Sequence, residues 1–242
     1  MVSDHAHRLA AVVVEPLVQG AAGMLTAEPE GFAVLAEACR DHDVLLICDE
    51  VATGFGRTGT LFASEQCRLR PDVLCLGKGL TGGYLPMSAT VASGRVFDAF
   101  LGPDMGPQTF YHGHSYGGNA LAAAVALRHL QLLEERNVLA NVAQRSAQLA
   151  LLLRERVQRL PAVADVRLQG LMGGVELAPP SPRESWGRRV CAAAGRRGVL
   201  LRPLGDVLVL MPPLTITSAE VERMVAVLVD AILEVASGRG RN

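Results

Sequence analysis

Two short apolar runs set the frame for this chain. Val44 to Cys48 (VLLIC) closes on Asp49, and Val73 to Leu76 (VLCL) closes on Gly77-Lys78-Gly79. Both are rich in Val, Leu and Ile, lack polar alternation and end on polar or glycine residues, which is how strands buried on both faces of a parallel sheet read. A third apolar strand, LAAVVVEP, precedes them and closes on Glu15-Pro16. Between it and the first run, Phe32 to Arg40 has a helical pattern, and strand, helix, strand in that order favours a parallel crossover. MSATVAS adds another strand after the second run, so the alternation predicts an α/β fold. In such sheets ligands bind beyond the carboxyl ends of the strands, which would bring Asp49 and Lys78 to one crevice.

A carboxylate and a lysine brought together beside glycines suggest pyridoxal phosphate chemistry. That cofactor forms a Schiff base with a lysine, and an acidic residue keeps its pyridine nitrogen protonated so that the ring can accept electrons. Gly77 and Gly79 would leave room for the bulky ring on Lys78. Taken alone, Lys78 reads equally well as a surface lysine in a turn, and Asp49 as a strand-end loop cap.

Composition narrows the alternatives. Half of the 242 residues are hydrophobic, enough for a substantial core, and 23 basic residues balance 24 acidic ones. That balance offers no electrostatic case for nucleic acid or an anionic membrane. Charges interrupt the apolar segments before they reach a spanning length, and no basic leader precedes an apolar stretch, so a cytoplasmic protein is expected. Cysteines at 39, 48, 67, 75 and 191 form no CxxC pair. Thiols in a reducing compartment fit them best, with no catalytic role and no metal site.

The remaining segments suggest three regions: a partial cofactor-binding domain over 1–130, connecting helices over 131–161 and a small α+β domain over 162–242. Asn119 is placed to cap the alanine-rich helix that follows it, and the loop donors before that helix suit a phosphate. The helical pattern breaks near Asn137 and ends by Pro161. VADVRLQGLMGGVELA reads as two strands, ESWGRRVCAAAGRRG as a helix, VLLRPLGDVLVLMPP as a hairpin, and a last amphipathic helix opens at Ser218 with Glu222 nearby. The basic tail from Gly238 is expected to fray. Arg57, in the loop TGFGRTG, reads as an exposed loop arginine, with a subunit or anion contact as the other option. The arginine fork of Arg202 suits a carboxylate. His112 and His114, two apart in a loop, make no convincing metal pair.

Four ordered motifs carry a resemblance: VVVEPLVQGAAGM, DEVATGFGRTG, LCLGKGLTGGYLP and FYHGHSYGGNALA. Together they resemble the class III aminotransferases of the fold-type I pyridoxal phosphate superfamily, over Leu9 to about Asp230. The resemblance implies the C-terminal part of a PLP-dependent transferase fold, with a mostly parallel large-domain sheet plus a small α+β domain. It also implies that a longer region, with a phosphate turn and a ring-stacking aromatic, belongs before Leu9. Lys78 and Asp49 become the catalytic and cofactor-binding pair. His114 and Ser115 are implied at the cofactor phosphate of a partner subunit in a homodimer, Gly113 beside the substrate, Glu15 near cofactor and substrate, and Arg202 on the substrate carboxylate. Within the family the motifs look most like the biotin-pathway branch, whose substrates would be 8-amino-7-oxononanoate and S-adenosylmethionine, or lysine as donor. An aminotransferase for ornithine or 4-aminobutyrate, or an inactive fragment, stays open. Val209 stands where that branch commonly has a tyrosine.

Overall fold

The computed structural model describes residues 2–238, so the tail expected to fray beyond Gly238 lies outside the described residues. The chain falls into two compact units. The first takes residues up to Leu17, then Ala27–Phe55 and Thr60–Asn137; the second takes Val18–Thr26, Gly56–Gly59 and everything from Val138 onward. In chain order the elements begin with α1 (Val2–His5), β1 (Ala11–Val14), β2 (Val18–Gln19), β3 (Leu25–Thr26), α2 (Pro29–Asp41) and β4 (Leu45–Asp49). There follow α3 (Ala63–Gln66), β5 (Val73–Leu76), β6 (Ala89–Ala92), α4 (Gly94–Asp98), α5 (Ala120–Glu135) and α6 (Val138–Leu152). The last are β7 (Val163–Gln169), β8 (Met172–Leu177), α7 (Trp186–Arg196), β9 (Arg202–Leu204), β10 (Val207–Leu210) and α8 (Ser218–Ala236).

In the first unit the strands lie in the order β1-β4-β5-β6. The first three run parallel, with Val14 opposite Cys48 and Asp49 opposite Cys75. β6 returns antiparallel, with Ala89 opposite Leu76, because no helix lies between them to carry the chain back to the far end of the sheet. The apolar runs therefore form a mostly parallel α/β sheet, as the sequence predicts. One edge of that sheet collects the carboxyl ends of β1, β4 and β5 and the start of β6. α2 begins earlier than its apolar pattern suggests, since Pro29 fits the first helical position, where no amide bond is lost. Asn119 caps α5 as expected: its Oδ1 accepts from the amides of Leu121 at 3.0 Å and Ala122 at 3.2 Å. The helix stops before Asn137, which turns left-handed at φ 47°.

The second unit is an antiparallel sheet, β7-β8-β10-β9, with the short β2–β3 ribbon in a sheet of its own. α8 packs on both α6 and α7, and Leu208, Leu228 and Ile232 are fully buried. α6 runs into a wider turn at Leu153–Val157 before Pro161. The cap of α8 is Thr217 rather than Ser218. Its Oγ1 accepts from the Glu220 amide while the Glu220 carboxylate accepts from the Thr217 amide at 2.8 Å, because the cap must be extended and Ser218 is already helical. Glu222 instead meets Arg156 at 3.1 Å.

Two early excursions are pinned into this unit by later residues. Arg167 donates to Asp165 and Glu176 at 2.6 Å each and to the Gly23 carbonyl at 3.0 Å. Gly170, at the β7–β8 turn, lies so close to Thr58 that a Cβ would stand 2.4 Å from its carbonyl carbon and 2.6 Å from the Arg57 oxygen. Its φ of +61° also disfavours a side chain. Gly170→Ala is expected to cost about 3 kcal/mol, from backbone strain and overpacking together. Urea unfolding followed by circular dichroism would check it, and an unshifted midpoint would refute it.

Candidate active site

The sheet edge described above brings three of the residues singled out from the sequence to one end of the first unit. Glu15 follows β1 directly, Asp49 is the last residue of β4, and Lys78 comes two residues after β5. Asp49 is half-buried, and its Oδ1 accepts from the Val51 amide at 3.0 Å. That bond fixes the carboxylate plane and leaves Oδ2 to meet a donor. The charge of Asp49 also raises the neighbouring Cys75 thiol, after burial, above its ordinary value.

Lys78 is exposed and opens a tight 3₁₀ turn, Lys78–Thr81. Its φ is +39°, a left-handed conformation that costs a side-chain-bearing residue about 1 kcal/mol or more. Strain of this kind persists only where the surroundings impose it. Here the Leu80 amide bonds the Gly77 carbonyl at 2.9 Å and the Gly82 amide bonds the Gly79 carbonyl at 3.1 Å. Lys78 is also the sole lysine among the 23 basic residues of the chain, the rest being arginine. That count was available in the sequence and singles out the residue without any motif.

The glycines beside it pack closely against neighbouring side chains. A Cβ at Gly77 would lie 3.2 Å from Val51 Cγ1, and one at Gly79 would lie 3.1 Å from the Phe55 side chain. They let the turn press against the loop after Asp49. Behind them is Glu50, which the sequence reading passed over in favour of its neighbour. It is fully buried, and its carboxylate accepts from Thr53 Oγ1 at 2.8 Å, the Ala63 amide at 2.9 Å and the Ser64 amide at 2.7 Å. Three donors satisfy a charge that burial would otherwise make prohibitive. Glu50 thereby ties the strand end carrying Asp49 to the first turn of α3.

A cavity of about 570 Å³ is lined by Pro86, Met87, Ser88, His112, His114 and Asn119 among others. Met87 and Ser88 precede β6, so this cavity opens at the same sheet edge. Gly113, His114 and Ser115 all lie in its exposed loop. His114 Nδ1 accepts from the Tyr116 amide at 3.1 Å, and the His112 ring stacks on Phe110 at 5.3 Å.

In the second unit Arg202 is exposed at the start of β9, directly opposite Val209 on β10. Arg57 is not the exposed loop arginine the sequence suggests. It is half-buried, its Nη1 donates to the carbonyls of Leu171 at 3.0 Å and Pro212 at 2.6 Å, and burial pushes it down to about 10. The cysteines are free and buried or half-buried. Burial, then Glu50 and the neighbouring thiols, pushes Cys48 up to about 12, and Cys67 and Cys191 rise to about 11 with burial first. Such thiols stay protonated and are poor nucleophiles. No helix among the described residues is long and apolar enough to cross a membrane.

An amine on a strained turn just past β5 and a carboxylate at the end of the adjacent parallel strand β4, with one oxygen unclaimed, thus stand at one sheet edge. The family model for aminotransferase class III matches residues 1–232, and the chain belongs to that family. It is 50% identical over 243 residues to an adenosylmethionine-8-amino-7-oxononanoate aminotransferase of Nitratidesulfovibrio vulgaris, covering 97% of this chain and 44% of that protein. The enzyme of the same name from Geobacter sulfurreducens is 44% identical, over 98% of this chain and 54% of its own length. The chain thus spans about half the length of the curated relatives it matches. Among solved structures, that of the namesake enzyme from Methanocaldococcus jannaschii superimposes with a TM-score of 0.92 at 38% identity, covering 96% of this chain and 56% of that one. An amine transaminase from an uncultivated Pseudomonas species, in its PLP-bound form, gives 0.88 at 37% identity, covering 96% and 54%.

Proposed function

We propose that this chain supplies the lysine, the ring-nitrogen carboxylate and the substrate arginine of an enzyme that transaminates 8-amino-7-oxononanoate to 7,8-diaminononanoate in biotin synthesis. The observation that carries the reading is the placement of Asp49 and Lys78 at the carboxyl ends of neighbouring parallel strands. When bound, pyridoxal phosphate supplies an electron-accepting ring that stabilises negative charge developing on a substrate carbon. Lys78 is the amine that holds it, and once displaced by an amino donor it takes and returns the proton at that carbon. Asp49, its plane set by Val51, would keep the proton on the ring nitrogen. His114 and Ser115 donate to the phosphate, Gly113 leaves the substrate path open, Glu15 borders cofactor and substrate, and Arg202 orients the acceptor by its carboxylate.

S-adenosylmethionine is the donor named in the relatives' own description, and it is the donor proposed here. The proposed working form is a homodimer, with the His114 loop serving the partner's phosphate, as the family resemblance implies. One observation supports a second reading. Solved structures nearly as similar include an (S)-enantioselective omega-transaminase from Thermomicrobium roseum, at a TM-score of 0.89 and 35% identity. Under that reading the same lysine would serve a different amine.

The test uses the single lysine. Pyridoxal phosphate is added to the purified protein, the absorbance is followed, borohydride is added, and the modified peptide is mapped. A Schiff-base band trapped on Lys78 supports the assignment, because only the chain's α-amino group competes. A folded protein that traps the cofactor only at that amino group, or nowhere, would overturn the claim that these residues assemble a cofactor site. Product formation from 8-amino-7-oxononanoate against ω-amino acid acceptors then separates the two readings.

A further inference from the structure

His129 lies on α5, directly behind the turn that carries Lys78. Its ring meets Phe55 edge-on at 6.4 Å between centroids. A Cβ built on Gly82, at the end of the turn, would lie 2.9 Å from His129 Cδ2. The Leu80 backbone lies on the side of the ring that favours its protonation, and the ring's Nδ1 is buried with no partner. A neutral imidazole tolerates an unpartnered ring nitrogen as a lone pair, whereas the imidazolium would place a second N–H there with nothing to receive it. The histidine therefore rests on both ends of the Leu80–Gly82 segment in a form that only the neutral ring supports.

We propose that His129 is a positioning residue for Lys78: neutral, it braces the Lys78–Thr81 turn through Leu80, Phe55 and Gly82, and on protonation it releases that turn. The inference concerns the same lysine as the proposed function and matters to catalysis only if that reading holds, but the bracing itself requires no cofactor.

The charged groups on the elements around it do not provide an acceptor. Lys78, on the turn, is itself a cation and exposed. In the loop that carries Phe55, Asp49 is engaged by Val51, and Glu50 is taken up by Thr53, Ala63 and Ser64. On α5 itself, Arg128 is held by Glu135 at 2.7 Å, and Glu134 and Arg136 lie toward its end. Burial holds the imidazole below its ordinary value, opposed by the Leu80 backbone. The open turn, with a more ordinary histidine, thus binds the proton more readily than the closed one. Closure is complete at neutral pH and is lost as the pH falls below the usual histidine range near about 6.5.

The test is hydrogen exchange at the Leu80 and Gly82 amides, whose bonds to Gly77 and Gly79 close the turn, measured from about pH 7.5 to about pH 5.5. H129Q keeps a polar side chain of similar reach but cannot titrate; H129L keeps bulk and loses the polar group. Expected is a wild-type exchange rate equal to that of H129Q at the upper pH and about fivefold faster at the lower. H129L is expected to exchange faster than H129Q throughout. A ratio of wild type to H129Q that stays flat with pH would overturn the proposal, as would a ratio that rises equally at amides of β7 and β8. If H129L does not fold, the H129Q profile alone decides. Because no pyridoxal phosphate is present, a negative result here leaves the trapping experiment on Lys78 untouched.

Discussion

Replacing Lys78 by alanine is expected to lower turnover by about 10⁴-fold or more, since both the covalent anchor and the proton carrier at the substrate carbon are lost together. No second lysine can substitute, because the chain has no other. Lys78→Arg is the sharper variant. It keeps a cation on the strained turn but can neither give up its proton at neutral pH nor condense with a carbonyl, so it should be as inactive as alanine. The assay is diaminononanoate formation in matched preparations of variant and unchanged protein, with borohydride trapping run alongside. Turnover near that of the unchanged protein in either variant would sink the assignment of Lys78.

The largest effect on stability is expected at Glu50. Glu50→Ala leaves the Ala63 and Ser64 amides and the Thr53 hydroxyl without their acceptor and opens a cavity where the side chain was fully buried. Orphaned buried donors cost about 1–3 kcal/mol each when water cannot replace the partner, and partial relaxation makes the sum smaller. A loss of about 4 kcal/mol is expected. Glu50→Gln should lose less, since one oxygen can keep two of the three donors, though its amide then faces a third N–H. Thermal melting of the two variants checks the order alanine below glutamine below unchanged protein. If Glu50→Ala melts with the parent, the carboxylate does not tie β4 to α3.

The sequence made the frame of the first unit legible because its strands are short, apolar and closed by polar residues. That pattern led directly to Asp49 at the end of β4 and Lys78 just beyond β5. Local chemistry was equally readable at Asn119, where an Asx side chain precedes an alanine-rich helix. Other features depend on partners far along the chain. Arg57 looks solvated in a glycine loop, yet its acceptors are carbonyls more than a hundred residues away. That Val51 and Phe55 press against the glycines beside Lys78 likewise shows only once the loop after Asp49 is placed. Glu50 and His129 gave no periodic signal: one sits beside a more conspicuous carboxylate, the other on a helix whose alanines dominate its pattern. The cap of α8 shifted by one residue because serine and threonine stand close together and only the backbone angle distinguishes them.

The way the second unit is stitched has a bearing on how the protein is made. Its β2–β3 ribbon and its Gly56–Gly59 segment leave the ribosome long before the strands that hold them, Arg167 and Gly170 among their anchors. During synthesis those two loops must wait without their partners while roughly a hundred further residues emerge, at about 5–20 residues per second. Contacts separated by so much chain carry a large loop-closure entropy, and such folds form slowly. A protease acting on nascent or freshly denatured chain should therefore find Val18–Thr26 and Gly56–Gly59 first. A cut between Asn137 and Val138 would likewise not yield two self-sufficient halves, because the N-terminal piece would keep the β2–β3 ribbon and the Gly56–Gly59 segment that belong to the second unit.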